Sequence, residues 1–227
     1  MVFTSYSKMT AHFSIANFAH PDGYDAGSLV TKSATSLGAN VDIITSSPSE
    51  IFSSFNHGII NWKGILQNKQ WLINSATTVL DGESPYYAWA ASMIIGELEG
   101  VKTVMVVDIP KEIDRLSEMW GAIIDRIRQI HILFITTQAL KSISELEDIS
   151  IDSLLSEIRF RGLIPFVCNY DEDNKHARVE HSRGSIQVHT AEQITYSTWL
   201  ANFLHRLPLT SLDNAGIEHA ASCFENF

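Results

Sequence analysis

The chain has 227 residues, 45% of them apolar, and a formal charge of −10 from 16 Lys and Arg against 26 Asp and Glu. That length and apolar share suit one large α/β domain with an ample core and argue against wholesale disorder. The acidic balance disfavours a surface built to neutralise a nucleic-acid backbone, and no apolar run is long enough to span a bilayer, so neither a nucleic-acid partner nor direct membrane insertion is expected. Two cysteines make no disulfide framework, and no signal-peptide pattern follows Met1. Reduced thiols and a cytoplasmic location are expected.

In chain order, Ala11–Phe18 reads as a short strand broken at the turn signal His20-Pro21-Asp22-Gly23. Short apolar pieces follow at Gly27–Val30 and Val41–Ile44, and Ser47-Pro48-Ser49-Glu50 reads as the start of a helix through Phe55. Trp71–Asn74 is a strand, followed by the polar segment Ser75–Pro85. The spacing of Tyr87, Ala90, Ala91, Ile94, Ile95 and Leu98 predicts a helix over Tyr86–Glu99. Lys102–Pro110 reads as a strand whose run Thr103–Val107 has no polar interruption before Asp108 and Pro110 close it, and Lys111–Gln129 is a helix. His131–Thr136 is a further strand, Ile143–Phe160 one helix, and Leu163–Asn169 a third buried strand. Asp171–Arg183 reads as a charged loop and Glu192–Leu207 as the last helix, stopped by Pro208. The division expected is one domain over 1–208 and a weakly ordered tail over 209–227.

Strands alternating with helices imply a three-layer α/β fold, a mostly parallel central sheet flanked by helices. In such sheets ligands bind at the carboxyl ends of the strands, which puts Asp108 at a candidate site. An aspartate there either holds a water or metal beside a phosphate or caps the helix beginning near Lys111, and position alone weighs the two equally.

Other chemistry is absent from the sequence. There is no GxxxxGK[ST], no GxGxxG and no GxSxG. His176, His181 and His189 lie in one polar stretch without an accompanying cysteine pair, so no metal site is expected and a solvated loop is the simpler reading. Cys168 is placed as a core residue.

The ordered set of pieces resembles the MinD/ParA superfamily of deviant Walker ATPases, and within it the CpaE/TadZ branch associated with Tad (Flp) pilus assembly. The pieces are SSPSEIFSSF, WLINSATTVLDGESP, GVKTVMVVDIPKEID, HILFITTQALKSISELED and RGSIQVHTAEQITYSTWLANFLHRL. Ile15–Ala19 is similar to that family's acid-rich strand, with Asn17 and Ala19 where acids belong, and the P-loop has no counterpart. The resemblance implies a degenerate pseudo-ATPase without catalytic residues, acting with protein partners in assembling or localising a pilus or secretion machine. It also implies a homodimer, with recruitment to the inner face of the membrane by partners. No cofactor is then expected. The alternatives are a ParA/MinD-like positioning factor, or an ATPase with an atypical site for ATP and Mg²⁺. For that site the resemblance supplies Asp108 for the metal or water and Asn169 for the base, although Asn169 fits a turn-forming Asn-Tyr-Asp equally well.

Overall fold

The computed structural model describes residues 13–222. The chain begins β1 (Ser14–Phe18), α1 (Ala26–Ser36), β2 (Asn40–Ile44), then α2 (Trp62–Leu66), β3 (Trp71–Ser75), α3 (Glu83–Leu98) and β4 (Lys102–Val107). It continues α4 (Leu116–Asp125), β5 (Ile132–Ile135), α5 (Thr137–Glu147), α6 (Ile151–Gly162) and β6 (Phe166–Asp171). The last elements are β7 (His176–His181), β8 (Gly184–His189), α7 (Tyr196–Arg206) and α8 (Asn214–Ser222).

The eight strands among the described residues join one sheet in the order β2-β1-β3-β4-β5-β6-β7-β8. From β2 to β6 the pairings are parallel, while β7 and β8 extend the edge as antiparallel hairpins. The parallel strands β3, β4 and β5 are buried on both faces, as their uninterrupted Trp, Ile, Val, Met and Phe runs require. On one face Trp89 and Met93 of α3, Met119 and Trp120 of α4 and Leu154 of α6 form a core with Leu72, Met105 and Leu133. On the other, Val30 of α1, Trp199 and Phe203 of α7 and Ile217 of α8 pack on Ile15, Ile73, Val104 and Phe134. The three-layer, mostly parallel α/β architecture is therefore present.

Several elements differ from the sequence expectation. The helix expected at Ser47–Phe55 is a single 3-10 turn over Phe52–Ser54. Glu50 there accepts from the Ser47 and Asn56 amides, and Phe52 stacks on Phe55 at 5.6 Å, so side-chain packing rather than a helical ladder orders the segment. Gly27–Val30 belongs to α1. The helix expected at Lys111–Gln129 is shorter, with 3-10 turns at both ends of α4. The helix expected at Ile143–Phe160 is two, α5 and α6, separated where Asp148 adopts a left-handed conformation with φ 52°.

The charged loop expected at Asp171–Arg183 is largely β7. Its Ala177 and Val179 face the core while His176 and Arg178 alternate with them outward. The segment read as a weakly ordered tail contains α8, whose Ile217, Ala220 and Ala221 are buried against α7 and the sheet. Residues 223–227 of that tail, and the first two residues of the strand expected at 11–18, lie outside the described residues.

Leu163, which follows α6, is exposed and left-handed with φ 54°. A leucine there carries the steric cost of its Cβ, which glycine lacks. Leu163→Gly is expected to stabilise the protein by about 0.5–1 kcal/mol, read as a higher denaturant midpoint with an unchanged slope. An unchanged or lower midpoint would show that the Leu163 side chain contributes packing.

Candidate functional site

The site is built where α1 begins. After the turn at His20–Gly23, Asp25 caps α1, its Oδ1 accepting from the Ser28 amide at 2.9 Å. Its Oδ2 accepts from the Ser28 hydroxyl at 2.6 Å and from the His20 amide at 3.1 Å. Ser75, at the carboxyl end of β3, donates its hydroxyl to Asp25 Oδ1 and accepts from the Gly27 amide at 2.7 Å. Helix and strand approach so closely that a Cβ on Gly27 would lie 2.8 Å from Ser75 Oγ and 3.1 Å from Ile73 Cγ2. Only glycine fits there without a shift. Asp25 thus ties the ends of β1 and β3 to the positive end of a helix.

Asp108 follows β4 in the same row of strand ends. Its Oδ1 accepts from the Ile109 amide and from the Thr136 hydroxyl, both at 2.9 Å. Thr136 in turn caps α5. Asp25, Asp81 and Asp108, with His20, Asp22 and Lys111, line one cleft of about 380 Å³. Glu112 and Arg115 complete its rim, and Arg115 is engaged by both oxygens of Glu118 at 2.8 Å and by the Leu80 carbonyl at 2.9 Å. Carboxylates dominate this cleft. They suit a ligand that donates hydroxyls and disfavour an anionic one.

Burial raises the pKa of Asp81, and the neighbouring Asp25 and Asp22 add to it against the opposing effect of His20 and Lys111. A folded-state carboxyl pKa above 3.8 means that the folded protein holds the proton more tightly than the unfolded chain. Stability from this group is full below 3.8 and falls as pH rises through the folded value. Asp81→Asn, which keeps the shape and removes the charge, is therefore expected to raise the melting temperature at pH 7, with the gain shrinking toward pH 4. A melting temperature lowered at pH 7 would mean that the Asp81 charge is held by a favourable partner.

A second cleft of about 350 Å³ lies over the ends of β6 and β7, lined by Thr137, Lys141, Asn169, Asp171, His176 and Arg178 among others. Asn169 is buried in its wall, and its amide donates to the Ile135 carbonyl at 2.9 Å and to Thr137 Oγ1 at 3.3 Å. Arg178 donates to the carbonyls of Ile151 and Asp152 at 3.3 and 2.6 Å, fastening β7 to the start of α6. The structure therefore puts Asp108 and Asn169 into two separate clefts rather than one.

Near Asp108, Asp25 and Glu172, at the start of α7, sits Tyr196. Its phenol is pushed well above its usual range by burial, those carboxylates adding to the effect. The Tyr196 amide donates to Glu172 Oε1 at 2.6 Å, and Thr195 accepts from the Thr198 amide at 3.2 Å. The positive end of α7 is thus filled by the chain's own carboxylate.

His176 and His189 meet across β7 and β8 with ring centroids 4.7 Å apart, and His181 lies at the far end of β7. Among the described residues no group of three or more His, Cys, Asp or Glu is placed to hold a metal ion. Cys168 is fully buried and its thiol is pushed far up by that burial, as a core thiol. Among the described residues no helix is long and apolar enough to cross a membrane.

Asp25 and Asp81 were missed as site residues in the sequence. Asp-Ala-Gly-Ser after a turn carries a capping signal at Asp25, but the cleft also needs Asp81 and Asp108 from elements brought together only by the fold.

No family model matches the chain, and no curated protein matches it by sequence. Solved structures do match. A fructokinase from Vibrio cholerae O395, bound to fructose, ADP and potassium ion, superposes with a TM-score of 0.66 at 11% identity, covering 92% of this chain and 89% of that one. An aminoimidazole riboside kinase from Salmonella enterica, complexed with aminoimidazole riboside and an ATP analog, gives 0.67 at 11% identity over 92% and 90%. A 2-dehydro-3-deoxygluconokinase from Thermotoga maritima gives 0.64 at 11% over 92% and 89%.

These matches correct the resemblance to the MinD/ParA superfamily and its CpaE/TadZ branch, which has a different fold. The pilus or secretion-assembly role, the positioning-factor reading and the atypical-ATPase reading rested on that resemblance and fall with it. Three of the motifs that carry it, around Trp71–Ser75, Lys102–Val107 and Ile132–Ile135, are buried parallel strands and their ends, which parallel α/β sheets share, and SSPSEIFSSF holds a 3-10 turn in place of a helix. At these identities the likeness is one of architecture: the chain shares the fold of these three kinases.

Proposed function

We propose that the chain binds a small polyhydroxylated molecule, a sugar or sugar-like polyol, in the acidic cleft at the ends of β1, β3 and β4. The observation that carries this reading is the convergence of Asp81 and Asp108, with Asp22 and Glu112, on one cleft whose wall Asp25 holds in place. Acceptor-only carboxylates in a half-enclosed cleft recognise vicinal hydroxyls by short charge-assisted hydrogen bonds. The fold shared with kinases solved with fructose and with a riboside bound supports the same ligand class.

A second reading, transfer of a phosphoryl group from a nucleotide to that polyol, draws on the kinase likeness and on the second cleft. Lys141 and Arg178 line that cleft and carry the positive charge that nucleotide phosphates need. Glu172 weighs against it, because its carboxylate already holds the Tyr196 amide where an incoming phosphate would find a helix N-terminus.

Calorimetric titration with a panel of ketoses, aldoses, ribosides and polyols, with and without ATP and Mg²⁺, tests both. Binding of a polyol without ADP formation is the expected result. ADP formation dependent on a panel sugar would put the second reading first, and no heat with any neutral polyol would overturn the proposal.

A further inference from the structure

At the opposite end of the sheet, about 20 Å from the acidic cleft by the length of β4, lies a cavity of about 390 Å³. It opens between the amino ends of β4, β5 and β6, where Lys102, His131 and Phe166 begin their strands or immediately precede them. His181 joins them because β7 runs antiparallel and pairs its last residue with Phe166. Leu207 and Ile217 supply apolar wall from the end of α7 and from α8.

Two features distinguish this cavity. The first is its charge: on a chain of formal charge −10, no carboxylate among the described residues lines it, whereas five line the acidic cleft. The Lys102 ammonium sits 5.5 Å over the Trp71 ring, which helps to hold it against the cavity wall. The second is His181. It is 3% exposed, and the Arg183 amide donates to its Nδ1 at 3.4 Å. A neutral imidazole accepting at Nδ1 carries its proton on Nε2, and that buried Nε2 has no hydrogen-bond partner among the described residues. Buried donors are almost always satisfied, so one left unpaired at a cavity wall calls for an acceptor. Burial, with the Arg159 charge next, lowers the His181 pKa, so the ring is neutral and serves as an N–H donor. Burial followed by the Lys102 charge pushes His131 down to about 4 and leaves it uncharged too. Lys102 is then the single cation among the described lining residues.

We infer that this cavity is a second small-molecule site, taking an amphipathic carboxylic acid whose carboxylate meets Lys102 and the His181 Nε2–H and whose apolar body lies against Phe166, Leu207 and Ile217. The carboxylate supplies both the counter-charge and the acceptor that the wall lacks. The inference is independent of the polyol reading, since the two sites share no residue.

The test uses the full chain and phenylacetate as probe, with benzyl alcohol and inorganic phosphate as controls that each lack one half of the chemistry. Nitrogen-resolved spectra of the histidine rings and calorimetry read the binding. Phenylacetate is expected to bind more tightly than either control and to shift the His181 Nε2 signal. Binding should weaken about tenfold or more in Lys102→Gln and in His181→Phe. Lys102→Gln changes an exposed residue at a strand start, so it keeps the test decisive should His181→Phe fail to fold. No phenylacetate binding up to about 10 mM would overturn the inference, as would equal affinity for benzyl alcohol or affinity unchanged in Lys102→Gln.

Discussion

Trp199→Ala is expected to destabilise the protein by about 3–5 kcal/mol, a large share of the 5–15 kcal/mol typical of a folded domain. Trp199 is 1% exposed and stands at the centre of the α7 face. Its ring stacks on Phe203 at 5.2 Å and on Tyr170 at 5.6 Å, with Phe134 tilted against it at 5.9 Å. Its Nε1 donates to the Ala221 carbonyl at 3.0 Å, so the same side chain that fills the core fastens α8. Truncation removes the ring contacts, leaves a cavity among aromatic neighbours, and orphans a buried carbonyl. Trp199→Phe separates these contributions by keeping much of the stacking while losing the hydrogen bond and leaving a smaller cavity, for about 1–3 kcal/mol. Denaturant titration gives both values, and limited proteolysis should cut the α8 segment earlier in both variants. Equal losses for alanine and phenylalanine would mean that the Ala221 bond, and not the aromatic cluster, is what Trp199 contributes.

What could be read from the sequence follows from where the sheet is buried. The strands β3, β4, β5 and β6 sit between two helical layers, so both faces must be apolar and the runs stand out. The hairpin β7–β8 is packed under α8 on one face, while on the other, among the described residues, only the start of α6 reaches β7. His-Ala-Arg-Val-Glu-His and Gly-Ser-Ile-Gln-Val-His carry the period-two alternation of half-buried strands, with Ala177, Val179, Ile186 and Val188 inward, but the charges of Asp171–Arg183, Arg178 and Glu180 among them, read as a solvated loop over the first. Asp108 was legible because one residue type closes one apolar run. Asn169 was legible as a strand-end asparagine, yet its amide is spent on Ile135 and Thr137, a contact between β6 and β5 that no local pattern announces.

Asp25→Ala is expected to act on both stability and ligand binding. It deletes the cap of α1 and removes the acceptor of the Ser28 and Ser75 hydroxyls and of the His20 amide. Losing a cap costs about 0.5–2 kcal/mol, and the partly buried groups left without an acceptor raise the total to roughly 2–4 kcal/mol. The cleft should lose its polyol affinity as well, because the same carboxylate holds the ends of β1 and β3 in register with α1. Asp25→Asn distinguishes the two roles. Asparagine caps a helix as well as aspartate does, but its NH2 must face one pair of the donors that Asp25 accepts, so folding should still lose about 1–3 kcal/mol, less than in Asp25→Ala. The neutral amide also removes one negative charge from the cleft, so polyol binding should weaken about tenfold. If Asp25→Asn bound the polyol like the parent, Asp25 would be a positioning residue alone and recognition would rest on Asp81 and Asp108. If instead Asp25→Ala melted like the parent, the carboxylate would not be the tie between helix and strand that its four hydrogen bonds describe.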